Sequence, residues 1–321
     1  MPLIKSTYTG PPVYLFNKHL ETIVPSLFRT IKDVTYSREK IHTADGDFLN
    51  LDWSKTGSRQ LVIVSHGLEG DSQRHYARAM VKLANAKGID ALAWNNRSCG
   101  GEINLSPVLY HHGASYDLDA TVEHVLKNAK YEEIYLTGIS MGGAQTLKYL
   151  GEKGNDLPPQ IRRAAVYSTP CNLPSSAATL KLKGNSFYRK RFLGKLKKKI
   201  EAKAAQFPDL IDLDFLEKVE DFDLFDTHFT AKLHGFKDAA DFYQAVSADN
   251  WMVNIAVPTL IVNAINDPLL GPECFPVSLA EKKHEIQLEM PSRGGHTGFT
   301  LGSQEFSWVE HRILDFLKQS T

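Results

Sequence analysis

The chain contains 321 residues, of which 42% are hydrophobic and 23% charged, and its 37 basic and 37 acidic side chains give a formal net charge of zero. This length suits one large domain or a domain with an insertion, and the charge balance gives no reason to expect nucleic acid as a partner. Its three scattered cysteines argue against a disulfide framework or a metal site and fit a reducing compartment. Neither a signal peptide nor a membrane span is evident, so we predict a cytoplasmic protein.

The first predicted segment is an N-terminal arm formed by residues 1–30. Its stretch over residues 16–25 is too apolar for a solvated tail, so we expect the arm to lie on the core near the entrance of the site. Two strands follow, around residues 34–42 and 47–53, and an Asp-Gly step between them is typical of a hairpin.

A buried strand at residues 61–65 runs into a His-Gly-Leu sequence, and a helix is predicted over residues 72–87. A strand that ends in His-Gly supplies a backbone amide to an oxyanion hole, and we assign that role to the Leu68 amide. His66 is also a candidate general base. Because it precedes the serine described below, whereas the usual order is Ser, then Asp or Glu, then His, we favour a turn-shaping role for His66 and Gly67.

The next strand, at residues 90–95, is followed by a glycine-rich loop and then by a predicted helix at residues 115–129. Cys99 in the loop is a candidate second nucleophile, but the sequence places no partner beside it, so a packed thiol is the preferred interpretation. His112 and Asp117 form a His-x-x-x-x-Asp pattern that is associated with acyltransferases. A pattern this loose arises often by chance, and shaping of the loop is the preferred role.

The centre of the chain is an apolar, β-branched run that enters a Gly-x-Ser-x-Gly sequence around Ser140 and continues in a helical pattern. Strand, tight turn and helix in this order are the context in which such a serine is a nucleophile, with its hydroxyl exposed above the sheet. Gly138 and Gly142 are expected where a side chain would collide with the neighbouring strand or helix. The Met141 amide, at the start of the helix, is the second predicted donor of the oxyanion hole.

A strand at residues 163–168 continues the alternation of strands and helices, which is typical of a doubly wound, mostly parallel α/β sheet. Between residues 171 and 249 apolar residues recur at helical spacing, which predicts a mainly helical cap inserted over the site. The core therefore comprises residues 31–170 and 250–321. The cap carries a basic helix, for which a solvated surface is preferred and weak contact with a membrane surface stays open.

A serine hydroxyl needs a base within hydrogen-bond reach, and that base is usually a histidine oriented by a carboxylate. Among the five histidines after Ser140, His296 lies in a glycine-rich loop after the last predicted strand, where it can reach over the sheet edge. Asp267 directly follows a strand at residues 259–264. An Asp-Pro turn has a structural explanation of its own, but three motifs in the expected order predict a catalytic triad of Ser140, Asp267 and His296.

These motifs resemble the α/β-hydrolase superfamily and, within it, the YheT-like branch, which also includes eukaryotic membrane-associated lipid esterases. The resemblance covers nearly the whole chain and is carried by residues 17–22, 66–70, 96–101, 138–143, 234–236, 266–268 and 294–299. It implies an α/β-hydrolase fold and the hydrolysis of carboxylic esters with short or medium acyl groups.

The prediction is therefore a serine esterase that cleaves short- to medium-chain or lipid-like esters through an acyl-enzyme. Ser140 is the nucleophile, His296 the base and Asp267 its partner. The expected ligand is a small-molecule ester, and no cofactor, metal, nucleic acid or protein partner is implied. Two alternatives stay open: acyl transfer by the same serine, which needs a bound acceptor, and a non-catalytic ligand-binding role, which is less favoured because such proteins usually lose a triad member.

Overall fold

The computed structural model describes residues 3–319, which contain nine strands in one sheet. In chain order the strands are β1 (Leu3–Ile4), β2 (Ser37–His42), β3 (Phe48–Ser54), β4 (Gln60–Ser65), β5 (Asp90–Asn95), β6 (Glu133–Ile139), β7 (Ile161–Tyr167), β8 (Thr259–Val262) and β9 (Ile286–Glu289). Across the sheet their order is β1-β9-β8-β7-β6-β4-β5-β3-β2. The β2–β3 and β3–β5 pairs are antiparallel and the other neighbouring pairs are parallel, which confirms the predicted fold class.

Helices connect these strands and cover both faces of the sheet. In chain order they are α1 (Lys18–Phe28), α2 (His75–Ala86), α3 (Ser115–Asn128), α4 (Met141–Lys153), α5 (Leu173–Lys181), α6 (Ser186–Gln206), α7 (Leu213–Glu217), α8 (Phe222–Phe225), α9 (Lys232–His234), α10 (Ala239–Val246), α11 (Asp249–Met252), α12 (Val277–Lys282) and α13 (Trp308–Leu317). Short 3-10 turns occur at Gly154–Asp156, Lys183–Asn185 and Pro272–Cys274, and a π-helical turn at Asp226–Ala231.

The sheet separates two apolar cores, because successive side chains of a strand point to opposite faces. In β4, Leu61 and Ile63 pack in the core that contains α3 and α4, whereas Val62 and Val64 pack in the core that contains α2 and α13. All four side chains are at most 1% exposed. Burial on both faces explains why this strand is a continuous apolar run in the sequence.

Several element boundaries differ from the predictions by one to three residues, and two of the differences have a clear local reason. α2 begins at His75, because Ser72 donates its hydroxyl to Asp52 Oδ2 and belongs to the preceding turn. β7 ends at Tyr167, because Ser168 has a φ of +49°, which a strand does not accommodate.

The N-terminal arm contains two elements that the sequence did not predict. β1 pairs in parallel with β9 at the sheet edge. α1 begins after Asn17, whose side-chain oxygen accepts hydrogen bonds from the His19 and Leu20 amides and caps the helix. The division into arm, core and cap stays a prediction, and residues 1, 2, 320 and 321 of its outer segments lie outside the described residues.

The segment between β7 and β8 consists of helices α5 to α11 and their connections. Its longest helix, α6, turns three lysines toward the protein. Lys195 and Lys199 contact Glu69 at 3.1 Å and 2.8 Å, and Lys203 donates to the Ser106 carbonyl at 2.6 Å. These contacts do not test whether the basic helix meets a membrane surface, and such contact stays a prediction. Within residues 3–319, no helix has the length and apolar character needed to cross a membrane.

Candidate active site

Ser140 forms the turn between β6 and α4, with a backbone φ of +55° and ψ of −121°. Residues with a side chain rarely adopt this conformation. The turn is tight, because a Cβ atom on Gly138 would lie 2.3 Å from the Gly142 carbonyl oxygen, and one on Gly142 would lie 2.2 Å from the Ser65 carbonyl oxygen. The Gly-x-Ser-x-Gly sequence thus folds into a strained turn at the carboxyl end of β6.

Ser140, His296 and Asp267 form a hydrogen-bonded row. His296 Nε2 lies 2.9 Å from Ser140 Oγ, and His296 Nδ1 lies 2.8 Å from Asp267 Oδ2. Because a carboxylate accepts and does not donate, the neutral imidazole carries its proton on Nδ1, and Nε2 is left to accept from the serine hydroxyl. The three side chains predicted from separate motifs are in direct contact.

Asp267 is fixed by the turn that follows β8. Its amide donates to the Ala264 carbonyl at 3.0 Å, and its Oδ1 accepts from the Leu269 amide at 2.8 Å. Oδ2 is therefore directed at the imidazole, and the side chain is fully buried. The Asp-Pro sequence has both a turn-forming contact and a contact that orients His296.

Two side chains of α1, Glu21 and Thr22, hold the loop that carries His296. The sequence analysis placed neither of them in the site. Thr22 Oγ1 accepts from the His296 amide at 2.9 Å. Glu21, which is 1% exposed, accepts from the Gly294 amide and the Arg293 guanidinium, at 2.7 Å in each case. A Glu-Thr pair in an apolar arm was the available signal, but its partners lie near the opposite end of the chain.

The amides of Leu68 and Met141, the predicted oxyanion donors, lie in the two turns next to the serine. Leu68 lines a cavity together with Ser140, and Met141 is the first residue of α4. Within residues 3–319, neither amide donates a hydrogen bond to a protein acceptor, whereas the amides on both sides of Leu68 donate to tyrosine hydroxyls. Within the described part of the chain, both amides therefore lack a protein hydrogen-bond acceptor, and their role in an oxyanion hole stays a prediction.

His66 lies beneath the turn that carries Leu68. Its Nδ1 donates to the Gly67 carbonyl at 2.8 Å, and its Nε2 accepts from the Asn96 amide at 3.1 Å. Burial lowers the pKa of His66 to about 4, so the ring is neutral at pH 7. Both ring nitrogens are engaged with these backbone groups, and neither is available to the serine hydroxyl.

The other candidate reactive groups of the sequence analysis were Cys99 and the pair of His112 and Asp117. Cys99 is buried, and burial raises its pKa to about 11, so it lacks the thiolate that a nucleophile needs. The Asp117 carboxylate binds the Arg97 guanidinium at 2.8–3.1 Å. His112 lines a cavity beside Ser140, and among the described residues no hydrogen bond joins His112 to Asp117. The contacts of Asp117 therefore do not support the acyltransferase pattern.

Two cavities open onto Ser140 and His296. The first lies between α1 and the first half of α6. The second lies beneath α5 and has a mainly apolar wall that includes Leu173, Ala177, Leu180, Phe192, Phe222 and Leu270. Between residues 3 and 319, no three His, Cys, Asp or Glu side chains converge so as to hold a metal ion.

Sequence relatives define the family of this chain. Residues 56–276 match the family described as "Serine aminopeptidase, S33". The YheT protein of Escherichia coli (strain K12) is 30% identical over 309 residues, which cover 94% of this chain and 90% of YheT. Phospholipase ABHD3 of Mus musculus is 28% identical over 311 residues, which cover 94% of this chain and 75% of ABHD3.

Solved structures agree in fold. The Pyrococcus furiosus esterase Pf2001 has a TM-score of 0.59 at 19% identity, over 90% of this chain and 95% of that one. Est1E of Butyrivibrio proteoclasticus, solved with ferulic acid, has a TM-score of 0.58 at 16% identity, over 87% of this chain and 97% of that one. The resemblance inferred from the motifs is confirmed: the chain belongs to the α/β-hydrolase superfamily, in the family described as "Serine aminopeptidase, S33", and to its YheT-like branch.

Proposed function

We propose that this protein is a serine esterase that hydrolyses carboxylic esters through an acyl-enzyme on Ser140. Membership of the YheT-like branch makes the chain a carboxylic-ester hydrolase, and the proposal adds the residues and the steps. The observation that carries it is the hydrogen-bonded row from Asp267 through His296 to Ser140.

In the proposed reaction, Ser140 Oγ attacks the ester carbonyl carbon while His296 Nε2 takes the hydroxyl proton. His296 then delivers this proton to the leaving alcohol, and the acyl group stays on Ser140. In the second half, His296 takes a proton from water, the water oxygen attacks the acyl-enzyme, and the proton returns to Ser140 as the acid leaves. Asp267 stabilises the imidazolium that forms in both halves.

The Leu68 and Met141 amides, which have no protein acceptor among the described residues, support an oxyanion hole. Each such donor contributes about 3 kcal/mol of transition-state stabilisation. Met141 is the first residue of α4, where the helix N-terminus also favours developing negative charge. The proposal therefore places the carbonyl oxygen of the ester between these two amides.

The cavity beneath α5 is the proposed acyl site. Its wall includes Leu173 and Phe222, which are 5% and 7% exposed, so an acyl chain there would be removed from water. The apolar lining supports an acyl group at this position, and we propose short- to medium-chain or lipid-like acyl groups. The name of the relative Phospholipase ABHD3 also supports a lipid-like ester.

Hydrolysis of p-nitrophenyl esters of increasing acyl length tests this function. We expect the Ser140→Ala variant to lose activity on every ester by roughly 10⁴-fold or more, because the nucleophile is missing. Ser303→Ala, at an exposed serine, is the matched control and should keep wild-type rates. Equal rates for the wild type and Ser140→Ala would contradict the proposal.

The same assay separates the alternatives. If acyl transfer predominates, an added alcohol diverts the acyl group to a new ester while release of p-nitrophenol continues. If the protein binds ligands without catalysis, Ser140→Ala keeps its function and the wild type hydrolyses nothing. The acyl-enzyme proposal predicts free acid as the main product in the absence of an added acceptor.

A further inference from the structure

Three basic side chains lie in the first cavity, between α1 and α6. Arg74 comes directly before α2, and Arg191 and Lys195 lie on α6. All three line the cavity that also contains Ser140 and His296. A substrate bound at the serine therefore extends past these cations when it occupies this cavity.

No carboxylate among the described residues forms a salt bridge with these three cations. Arg74 donates to Ser26 Oγ at 3.2 Å and Lys195 to the Glu69 carbonyl at 3.1 Å, but within residues 3–319 none of the three basic groups forms a salt bridge. Glu69 is the only carboxylate among the described residues that line the cavity. Its side chain already binds Lys199 Nζ at 2.8 Å, so the excess of positive charge remains.

The two arginines also act on Lys195. Burial lowers the pKa of Lys195, the Glu69 carboxylate opposes this shift, and the charges of Arg74, Arg191 and Lys199 lower the pKa further. Like charges that line one cavity repel each other, and an anion placed between them offsets the repulsion. Guanidinium groups are also well suited to phosphate and carboxylate, because they can donate two parallel hydrogen bonds.

We infer that Arg74, Arg191 and Lys195 bind a phosphate or carboxylate group on the alcohol part of the ester, so that the preferred substrates are anionic esters. This inference rests on the proposed function. With the acyl chain beneath α5, the first cavity is the space left for the alcohol part. In this account the cavity beneath α5 determines the preferred acyl-chain length of the substrate. The basic cluster, formed by Arg74, Arg191 and Lys195, determines its preferred charge.

A matched pair of substrates tests the inference: monobutyrylglycerol and butyrylglycerol phosphate, which differ only in the anionic group. We expect the wild type to prefer the phosphate ester by roughly tenfold or more in kcat/KM, because charge-assisted hydrogen bonds are gained. Arg74→Gln and Arg191→Gln should each bring this ratio toward one. Lys198→Gln, at an exposed position on the same helix outside the cavity, is the control and should keep the wild-type ratio.

The outcomes separate this inference from the function it rests on. A ratio near one in a wild type that hydrolyses the neutral ester overturns the charge selection alone, and so does a ratio that both arginine variants retain. If the wild type hydrolyses neither of these esters and does not hydrolyse p-nitrophenyl butyrate, the esterase proposal is contradicted and this inference with it. A second pair of esters with dodecanoyl chains should show the same charge preference. A higher kcat/KM for the dodecanoyl pair identifies the anionic substrate as a lipid, and a higher kcat/KM for the butyryl pair identifies it as a soluble ester.

Discussion

At the scale of single residues, the proposed reaction depends on the carboxylate that selects the tautomer of His296. An amide in place of Asp267 can accept or donate, so Asp267→Asn admits the tautomer whose Nε2 carries the proton and does not accept from Ser140. We expect kcat for p-nitrophenyl butyrate to fall by roughly 10³- to 10⁴-fold with little change in KM. Asp315→Asn, at an exposed carboxylate on α13, should match the wild type. A kcat of Asp267→Asn within about threefold of the wild type would mean that this contact does not orient the base.

At the scale of elements, α1 supports the loop that carries His296. Thr22→Val removes the oxygen that accepts from the His296 amide and leaves that buried donor unpaired. We expect a loss of about 1 kcal/mol of transition-state stabilisation, measured as a roughly fivefold lower kcat. Thr22→Ser keeps the hydroxyl and should restore most of the rate. If the valine and serine variants are equally active, α1 does not position the loop through this bond.

At the scale of the whole molecule, a chain of contacts joins the turn between β2 and β3 to α6. Asp47 accepts from the Leu105 amide at 2.8 Å and from Ser106 Oγ at 2.6 Å, and the Ser106 carbonyl accepts from Lys203 on α6. Burial opposes the ionisation of Asp47, but hydrogen bonds from Asn104 and Ser106 outweigh it and lower the pKa to about 2.

This lowered pKa predicts a pH-dependent stability. Because the pKa of Asp47 is about 2 in the folded protein against 3.8 ordinarily, its contribution is fully present above pH 3.8 and is lost as the pH falls toward 2. We expect Asp47→Asn to lower the free energy of unfolding at neutral pH by about 2 kcal/mol, with a difference that shrinks under acid conditions. Urea unfolding at several pH values measures it. A difference that stays constant into the acid range would exclude this carboxylate as the source.

The parts of the structure that the sequence predicted are those with short-range signals. β4 and β6 were recognisable because apolar runs end directly in glycine-containing turns. The contact between Ser140 and His296 followed from motif order and from the rule that strand carboxyl ends share one edge of the sheet.

What the sequence did not predict depends on long-range contacts. α1 has apolar residues at helical spacing but also a proline within it, and its role comes from side chains that meet the His296 loop only after folding. The basic cluster of Arg74, Arg191 and Lys195 also depends on long-range contacts. Arg74 and Arg191 are far apart in the sequence, and only the docking of α6 brings them to one cavity. The sequence indicated a basic helix but not the direction in which its lysines point.

The measurement that tests the central claim most directly is the site of covalent labelling by a fluorophosphonate, a reagent that reacts with activated serines. Intact mass and peptide mapping report how many adducts form and where. The acyl-enzyme mechanism predicts one adduct, on Ser140, and none on the Ser140→Ala variant. A wild-type protein that hydrolyses esters while it remains unlabelled, or that carries its adduct on another residue, would contradict the account.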